Sequence, residues 1–188
     1  MKTRIGLGFD VHRLVEGREL WLCGIKLDYS KGLLGHSDAD VALHALCDAL
    51  LGAASMRDIG YHFPDSDDKY SGADSKILLK SVMQKIKEGG YSVGNVDITI
   101  CLEKPKLKDH IFEMQQCIAS VMEVGEDCVS VKATTTELYR ARGRHCRLCR
   151  GAFGKGIMRV FNAVTRYAPY VKKNVGKALP ERKILRRN

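Results

Sequence analysis

The sequence predicts a two-layer α+β domain in which strands form one layer and helices the other. Three observations favour this fold class. The chain has 188 residues, of which 45% are hydrophobic, enough for one domain with a sizeable core and few for two. Segments with strand periodicity alternate with segments of helical periodicity, and neither a repeat nor a low-complexity linker interrupts them. No apolar stretch approaches the length of a transmembrane helix.

The first half of the chain predicts two strands and a long helix. RIGLGFDVHRL and ELWLCGIKLDY are short apolar or alternating segments, and Gly17 between them favours a turn. In DVALHALCDALLGAA the apolar residues share one helical surface, and an aspartate stands near the start. This surface comprises Val41, Leu43, Ala45, Leu46, Ala49 and Leu50.

The second half predicts a loop, two further helices and two further strands. YHFPDSDDKYSG is a polar loop, and ADSKILLKSVMQKIKEGG is a helix that ends at Gly89 and Gly90. YSVGNVDITICLE predicts a strand, and KLKDHIFEMQQCIASVME predicts the third helix. CVSVKATTT is rich in β-branched residues and predicts a last strand.

The charge of the chain changes sign at Glu137. Residues 1–137 contain 16 Lys+Arg and 21 Asp+Glu, whereas residues 138–188 contain 15 Lys+Arg and one glutamate. A basic tail of this kind can bind RNA without sequence preference. The seven cysteines are odd in number and mostly far apart, which argues against a disulfide framework. Together with an N-terminus that lacks a signal-peptide pattern, this predicts a cytoplasmic protein.

Three side chains form a candidate metal site. Asp10 and His12 are two residues apart on a predicted strand, so both project from the same face. His44, on the first predicted helix, would complete a carboxylate and two imidazoles, a zinc donor set with one position left for substrate. Asp48, four residues further on, is placed to orient the His44 ring. Taken singly, these residues also suit ordinary surface, turn or core positions.

Two other segments carry groups that suit phosphate. His36, Ser37, Asp38 and Asp40 directly precede the first predicted helix, where an imidazole, a hydroxyl and the helix N-terminus can hold an anion. The same residues could instead serve only to cap that helix. ATTTE follows a strand and supplies three hydroxyls and the carboxylate of Glu137, which suits a diphosphate held partly through a divalent cation.

Taken in order, these motifs resemble the 2-C-methyl-D-erythritol 2,4-cyclodiphosphate synthase family. The resemblance rests on GFDVH, GLLGHSDADVALHALCDALLGAA, DIGYHFPDSD, GNVDITI with the following KPK, and VKATTTE, and it spans about residues 2–137. The family implies a ferredoxin-like sheet with helices on one side, and a homotrimer with active sites between subunits. It also implies cyclisation of 4-diphosphocytidyl-2-C-methyl-D-erythritol 2-phosphate with release of CMP. It therefore favours a small cytidine diphosphate substrate over nucleic acid or a membrane.

The resemblance also implies roles for individual residues. Zinc is bound by Asp10, His12 and His44. A Mg²⁺ or Mn²⁺ ion is held by Glu137, and the transition state is stabilised by His36 and Thr135. The substrate is contacted by His36 and Ser37. Its erythritol phosphate end is held by Asp58, Ile59, Gly60, Phe63, Pro64, Asp65, Ser66 and Asp67. The cytidine and diphosphate side contacts Leu102, Glu103, Lys104, Pro105, Lys106, Leu107, Lys108, Thr134, Thr135, Thr136 and Glu137.

The family pattern stops within one residue of Glu137. Family members continue into FTGRGEGIA and a last apolar strand, and codons that encode LYRARGRHC give that peptide when they are read one base later. We therefore hypothesise that the C-terminus after Glu137 is frameshifted. Residues 1–137 would then form the synthase domain without its native last strand, and residues 138–188 a disordered basic tail. The alternatives are an inactive frameshifted product and a basic-tailed RNA-binding protein.

Overall fold

The computed structural model describes residues 3–64, 67 and 72–135, together with the backbone of a strand at 157–162. Within these ranges, no helix is both long and apolar enough to cross a membrane. Short 3-10 helices lie at Lys108–His110 and Glu126–Cys128. The elements in chain order are β1 (Gly8–Glu16), β2 (Leu20–Leu22), β3 (Ile25–Leu27), β4 (Lys31–Leu33), α1 (Val41–Ala53), α2 (Ile59–His62), α3 (Ser75–Glu88), β5 (Val96–Cys101), α4 (Ile111–Met122), β6 (Val129–Thr134) and β7 (Ile157–Asn162).

Five of the strands form one mixed sheet in the order β4-β1-β7-β5-β6. β1 is antiparallel to β4 and to β7, and β7 is antiparallel to β5. β5 and β6 are parallel and are joined through α4, as parallel neighbours require a crossover. β2 and β3 form a separate hairpin.

The helices pack against one face of the sheet. α1 lies on β1 and β7, α4 lies on β6, and α3 packs on α1 and α4. Along β5 the residues Val96, Ile98 and Ile100 are buried and alternate with partly exposed neighbours, as expected for a strand with one covered face. On the opposite face of β1, Phe9 and Val11 are exposed. The predicted α+β class, with separate layers of strands and helices, is confirmed.

The N-terminus of α1 is fixed by the fully buried carboxylate of Asp40. Its Oδ1 accepts hydrogen bonds from the backbone N–H groups of Ala42 and Leu43, each at 3.1 Å, and of Cys23 at 3.0 Å. Its Oδ2 accepts one from the N–H of Gly24 at 2.6 Å. Cys23 and Gly24 have φ of 53° and 80°, the left-handed conformation that a two-residue hairpin turn favours. One side chain thus caps the helix and ties the β2–β3 hairpin to it.

β1 passes unusually close to α1. A Cβ atom placed on Gly8 would lie 1.8 Å from the carbonyl oxygen of Ala45, so only glycine fits at this crossing. Asp10 and His12 follow on the same face of the strand, and His44 precedes Ala45 on the helix. The close crossing therefore brings the predicted metal ligands of the strand next to that of the helix.

Three elements differ from the sequence prediction. ELWLCGIKLDY is a hairpin rather than one strand, because Cys23 and Gly24 reverse the chain at its centre. The segment predicted as a polar loop starts at Tyr61, within α2, and the start of that helix is capped by Asp58 through a 2.8 Å hydrogen bond from the N–H of Tyr61. The third helix begins at Ile111, after a 3-10 turn, and not at the KLKDH segment.

β7 is a strand of the sheet that follows Glu137, where the sequence analysis expects none. It occupies the centre of the sheet, and its residues pair with β1 from Gly8 to Arg13 and with β5 from Thr99 to Cys101. A gap between β1 and β5 would leave two rows of backbone N–H and C=O groups unpaired. Ile157–Asn162 contains β-branched and aromatic residues that suit a strand. The boundary at Glu137 and the frameshift stay predictions, and the remainder of the tail lies outside the described residues.

Candidate functional site

Asp10, His12 and His44 meet at the crossing of β1 and α1, as predicted. One ligand atom from each lies within 4.8 Å of the others. The Nε2 atom of His12 is 3.0 Å from Oδ2 of Asp10, and the Nδ1 atom of His44 is 3.2 Å from the same oxygen. The three side chains are partly buried and form a potential metal-binding triad.

The His12 ring is oriented by the backbone. Its Nδ1 lies 2.7 Å from the carbonyl oxygen of Leu34, which can only accept, so the proton is on Nδ1. In the neutral ring, the lone pair is then on Nε2, the atom that faces Asp10. This is the tautomer that a metal ligand requires.

The His44 ring presents its two nitrogens to different partners. Nδ1 faces Asp10, whereas Nε2 lies 2.9 Å from the Oγ atom of Ser75 and 3.1 Å from that of Ser37. The Oγ atom of Ser37 also accepts a 3.0 Å hydrogen bond from the N–H of Ala39. The two hydroxyls therefore hold the ring on its Nε2 side, and Nδ1 faces Asp10.

The predicted contact between Asp48 and His44 is wrong. The Oδ1 atom of Asp48 instead accepts a 2.7 Å hydrogen bond from the N–H of Ile59, which holds α2 against α1. Burial raises the pKa of the Asp48 carboxyl above its ordinary value. The four-residue spacing puts Asp48 one turn beyond His44, and there the start of α2 is the nearer donor.

Charge is concentrated at the triad. Burial alone would raise the pKa of Asp10, but hydrogen bonds with His12 and His44 outweigh it and hold that pKa well below its usual range. Burial likewise lowers the pKa of His12, and the contact with Asp10 outweighs it, so that pKa lies above the ordinary histidine value. A bound cation would take the place of the imidazole protons, and its binding would release them.

A cleft of about 250 Å³ opens beside the triad. Ser37 lies almost fully buried in its wall, and His36 lines it from the loop before α1. A Cβ on Gly35 would lie 2.8 Å from Cε1 of His12, so this loop approaches the triad closely. Leu78 of α3 supplies an apolar part of the lining. The cleft combines a potential metal triad with hydroxyl and imidazole donors, which is an arrangement suited to phosphate.

Some of the substrate contacts predicted in and around α2 line this cleft. The lining includes Ile59, Gly60 and Phe63. Asp58 caps α2 instead of lining the cleft. Pro64 and Asp67 lie beyond the lining, and the carbonyl of Pro64 accepts a 3.0 Å hydrogen bond from the N–H of Asp67. Asp65 and Ser66, which are also predicted contacts, lie outside the described residues.

A second cleft of about 420 Å³ lies where the parallel strands β5 and β6 end. The predicted residues that line it are Leu102, Pro105, Lys106, Leu107, Lys108, Thr134 and Thr135. Glu103 and Lys104 belong to the same loop but not to the lining. Thr136 and Glu137 lie outside the described residues. The two clefts share no lining residue, so the predicted site residues fall into two separate groups.

Ser75 is the main site residue that the sequence analysis missed. It is buried at the start of α3 and contacts both His44 and Asp38. A serine at a helix start has an ordinary capping role, so the sequence carries no signal that separates this one from others. The sequence predicts Asp38 only as a helix-capping or phosphate-binding residue. Its contact with Ser75 arises because two segments distant in sequence pack together.

The chain has close similarity to a known family. A family model described as the YgbB family matches residues 3–150. The 2-C-methyl-D-erythritol 2,4-cyclodiphosphate synthase of Bacteroides fragilis is 63% identical over 144 residues, which cover 77% of this chain and 91% of the relative. The synthase of Bacteroides thetaiotaomicron is 64% identical with the same coverage of both chains.

Solved structures show the same fold. The bifunctional IspDF from Campylobacter jejuni superimposes with a TM-score of 0.75 at 41% identity, covering 85% of this chain and 41% of that larger one. A CDP-bound 2C-methyl-D-erythritol-2,4-cyclodiphosphate synthase gives 0.72 at 33% identity, covering 84% and 96%. The IspF–CDP complex of Plasmodium falciparum gives 0.66 at 30% identity, covering 84% and 91%.

Proposed function

Because the chain belongs to the YgbB family, we propose that it converts 4-diphosphocytidyl-2-C-methyl-D-erythritol 2-phosphate into 2-C-methyl-D-erythritol 2,4-cyclodiphosphate. CMP is the second product, and the enzyme is a lyase of non-mevalonate isoprenoid biosynthesis. The observation that carries the proposal is the convergence of Asp10, His12 and His44 beside a cleft lined by His36 and Ser37. The relatives favour this activity over an RNA-binding function for the basic tail.

The reaction is an intramolecular phosphoryl transfer. An oxygen of the 2-phosphate forms a bond to the β-phosphorus, while the bond from that phosphorus to the oxygen shared with the α-phosphate breaks. CMP leaves with the electron pair of the broken bond. Because the attacking phosphate is already anionic at neutral pH, the protein must chiefly align the two groups and neutralise their charge.

The residues of the first cleft suit this task. Zinc fits a carboxylate and two neutral imidazoles whose free nitrogens face one point, and when bound it supplies positive charge for the β-phosphate. His36 and Ser37 are placed to donate hydrogen bonds to phosphate oxygens beside it. Thr135, in the second cleft, is the proposed stabiliser on the diphosphate side. A Mg²⁺ or Mn²⁺ ion held by Glu137 belongs to the same proposal.

A homotrimer with sites between subunits would join the two clefts. One substrate must reach both the metal triad and the cytidine side, yet the two clefts share no lining residue within one protomer. An apolar face of the protomer supports such an assembly, since Ile5 and Leu7 are 63% and 68% exposed and Phe9 lies beside them. The ferredoxin-like arrangement of the sheet and a cytoplasmic location complete the proposal.

Replacing His44 with alanine tests the metal assignment. We expect one zinc per subunit in the parent protein and loss of most of it in His44→Ala, because two ligands remain. CMP release should fall by more than about 100-fold. Elemental analysis and a CMP-release assay measure the two effects. His110→Ala is the control for zinc content, since His110 makes no capping hydrogen bond at the start of α4. Stoichiometric zinc in His44→Ala would refute the ligand assignment.

A further inference from the structure

Ser75 connects an acidic residue to a metal ligand. Its side chain is fully buried, and its Oγ atom lies 2.9 Å from Nε2 of His44 and 2.5 Å from Oδ1 of Asp38. The backbone N–H of Ser75 donates a second hydrogen bond to Oδ2 of Asp38 at 2.9 Å. Both oxygens of the Asp38 carboxylate are therefore engaged by one residue.

The direction of these hydrogen bonds follows from proton counting. An ionised carboxylate only accepts, so the Ser75 hydroxyl donates its single proton to Asp38. The oxygen of that hydroxyl can then only accept from His44, which requires a proton on Nε2. In the neutral imidazole the lone pair is left on Nδ1, the nitrogen that faces Asp10.

We propose that Asp38 and Ser75 are positioning residues for the metal ligand His44, acting through a relay from the Asp38 carboxylate to the Ser75 hydroxyl to Nε2. The proposal rests on the zinc site of the proposed function and deepens it. The relay fixes the tautomer and the angle of the His44 ring, and it places negative charge behind the ring. Both effects strengthen an imidazole as a metal ligand.

The two histidines of the triad are thus oriented by different means. His12 donates to a backbone carbonyl, that of Leu34, which no substitution can remove. His44 depends on a side-chain relay that also joins two segments distant in sequence, the loop before α1 and the start of α3. The N–H of Asp40 donates to Oδ1 of Asp38 at 3.1 Å, and the N–H of Asp38 donates to the carbonyl of Ala73 at 3.1 Å. The relay is therefore part of a hydrogen-bonded junction between these two segments.

Substituting each member of the relay tests the proposal. Ser75→Ala removes the nearer of the two hydroxyl acceptors for the Nε2 proton and leaves only that of Ser37 at 3.1 Å. Because the link to the Asp38 charge is lost, we expect the zinc affinity of the full-length, metal-stripped protein to fall about 10–100-fold. Asp38→Asn keeps one oxygen acceptor but removes the charge, so a smaller loss in the same direction is expected. Competition with a chromophoric zinc chelator at fixed pH measures both affinities.

A matched control separates positioning from helix stability. Asp74 caps the same helix, accepting a 2.8 Å hydrogen bond from the N–H of Lys76, but it does not contact His44. Asp74→Ala should lower the melting temperature of the metal-free protein and leave zinc affinity unchanged. If Ser75→Ala fails to fold, the zinc affinities of Asp38→Asn and Asp74→Ala are compared instead, and only the former should be lowered.

Each outcome has a defined meaning. Parent-like zinc affinity in Ser75→Ala and Asp38→Asn would overturn the relay while leaving the zinc site intact. An equal loss of affinity in Asp74→Ala would also overturn it, because the effect would then belong to α3 as a whole. If the parent protein itself binds no zinc, the metal assignment of the proposed function fails, and the relay fails with it.

Discussion

Three aspartates cap helices in the described part of the chain, and two of them, Asp40 and Asp74, have different surroundings. Asp40 is fully buried and accepts from four backbone N–H groups, two in α1 and two in the hairpin turn. Asp74 is partly exposed and accepts from one N–H of α3. Burial raises the pKa of Asp40 above its ordinary value, and the N–H groups of Gly24 and Leu43 work against that rise. Removal of Asp40 would leave buried donors without a partner.

We therefore expect Asp40→Ala to destabilise the protein far more than Asp74→Ala. The loss should be at least about 3 kcal/mol for Asp40 and about 1 kcal/mol for Asp74, because unsatisfied buried donors cost more than exposed ones. Urea unfolding followed by circular dichroism measures both free energies. Equal losses in the two variants would show that the hairpin contacts of Asp40 contribute nothing.

Residues differ in how far the sequence reveals them. Strand spacing predicts that Asp10 and His12 share a face, whereas the choice of His44 as the third ligand rests on the resemblance to the family. The Asp48 contact was mispredicted, since helical spacing gives only the neighbours within α1 and not the nearby start of α2. Ser75 could not be predicted, because its role depends on a contact across 31 residues.

At the scale of elements, the crossing of β1 over α1 positions the triad. Gly6 and Gly8 both face the helix backbone, with a Cβ on either only 1.8 Å from a carbonyl oxygen of Ala49 or Ala45. Gly52, in the same helix, has open space around its Cβ position. Alanine should therefore destabilise the protein at Gly6 or Gly8, where there is no room for a Cβ atom, but not at Gly52.

Gly8→Ala should push β1 away from α1, whereas Gly52→Ala should stabilise the helix. We expect Gly8→Ala to cost at least about 2 kcal/mol and to weaken zinc binding, since Asp10 and His12 move relative to His44. Gly52→Ala should gain about 0.5–1 kcal/mol from lower unfolded-state entropy and higher helix propensity. Thermal unfolding and zinc titration of both variants provide the measurement. A neutral Gly8→Ala would contradict the close crossing.

Elements with strong periodicity were the easiest to predict. The apolar surface of α1, from Val41 to Leu50, is buried as its pattern indicates. The β2–β3 hairpin was missed because its turn uses Cys23, a residue without turn preference, next to Gly24. β7 was missed because its place between β1 and β5 is set by the needs of the sheet, and the charge of the surrounding tail hides a short strand.

At the scale of the whole molecule, β7 completes the sheet beside an exposed apolar face. β7 pairs with β1, whose outer face exposes Phe9 and Val11 beside Leu7. The segment FTGRGEGIAVCAVALL, which the frameshift hypothesis places after Glu137, would supply an apolar strand for the same central position. It would also supply an arginine that can pair with substrate phosphate.

Restoring the frame after Glu137 should raise trimer content and CMP release well above those of this chain. The reason is a better packed strand beside the apolar face, and one charge-assisted hydrogen bond to phosphate worth about 1.5–3 kcal/mol. Analytical ultracentrifugation and CMP release with divalent metal present compare the two proteins. Equal trimer content and equal rates would mean that the basic tail replaces the family C-terminus in function.

The position of β7 has a consequence for biosynthesis. Of the described strands, the one in the middle of the sheet is synthesised last, yet it must pair with the first, so that Gly8 finds its partner only once Asn162 has been made. Contacts this distant in sequence form slowly, and translation proceeds at about 5–20 residues per second. The nascent chain therefore carries an open sheet, with the edges of β1 and β5 exposed, until β7 has been synthesised. Chaperones that shield strand edges should therefore bind this nascent chain and leave it only after β7 has emerged and paired.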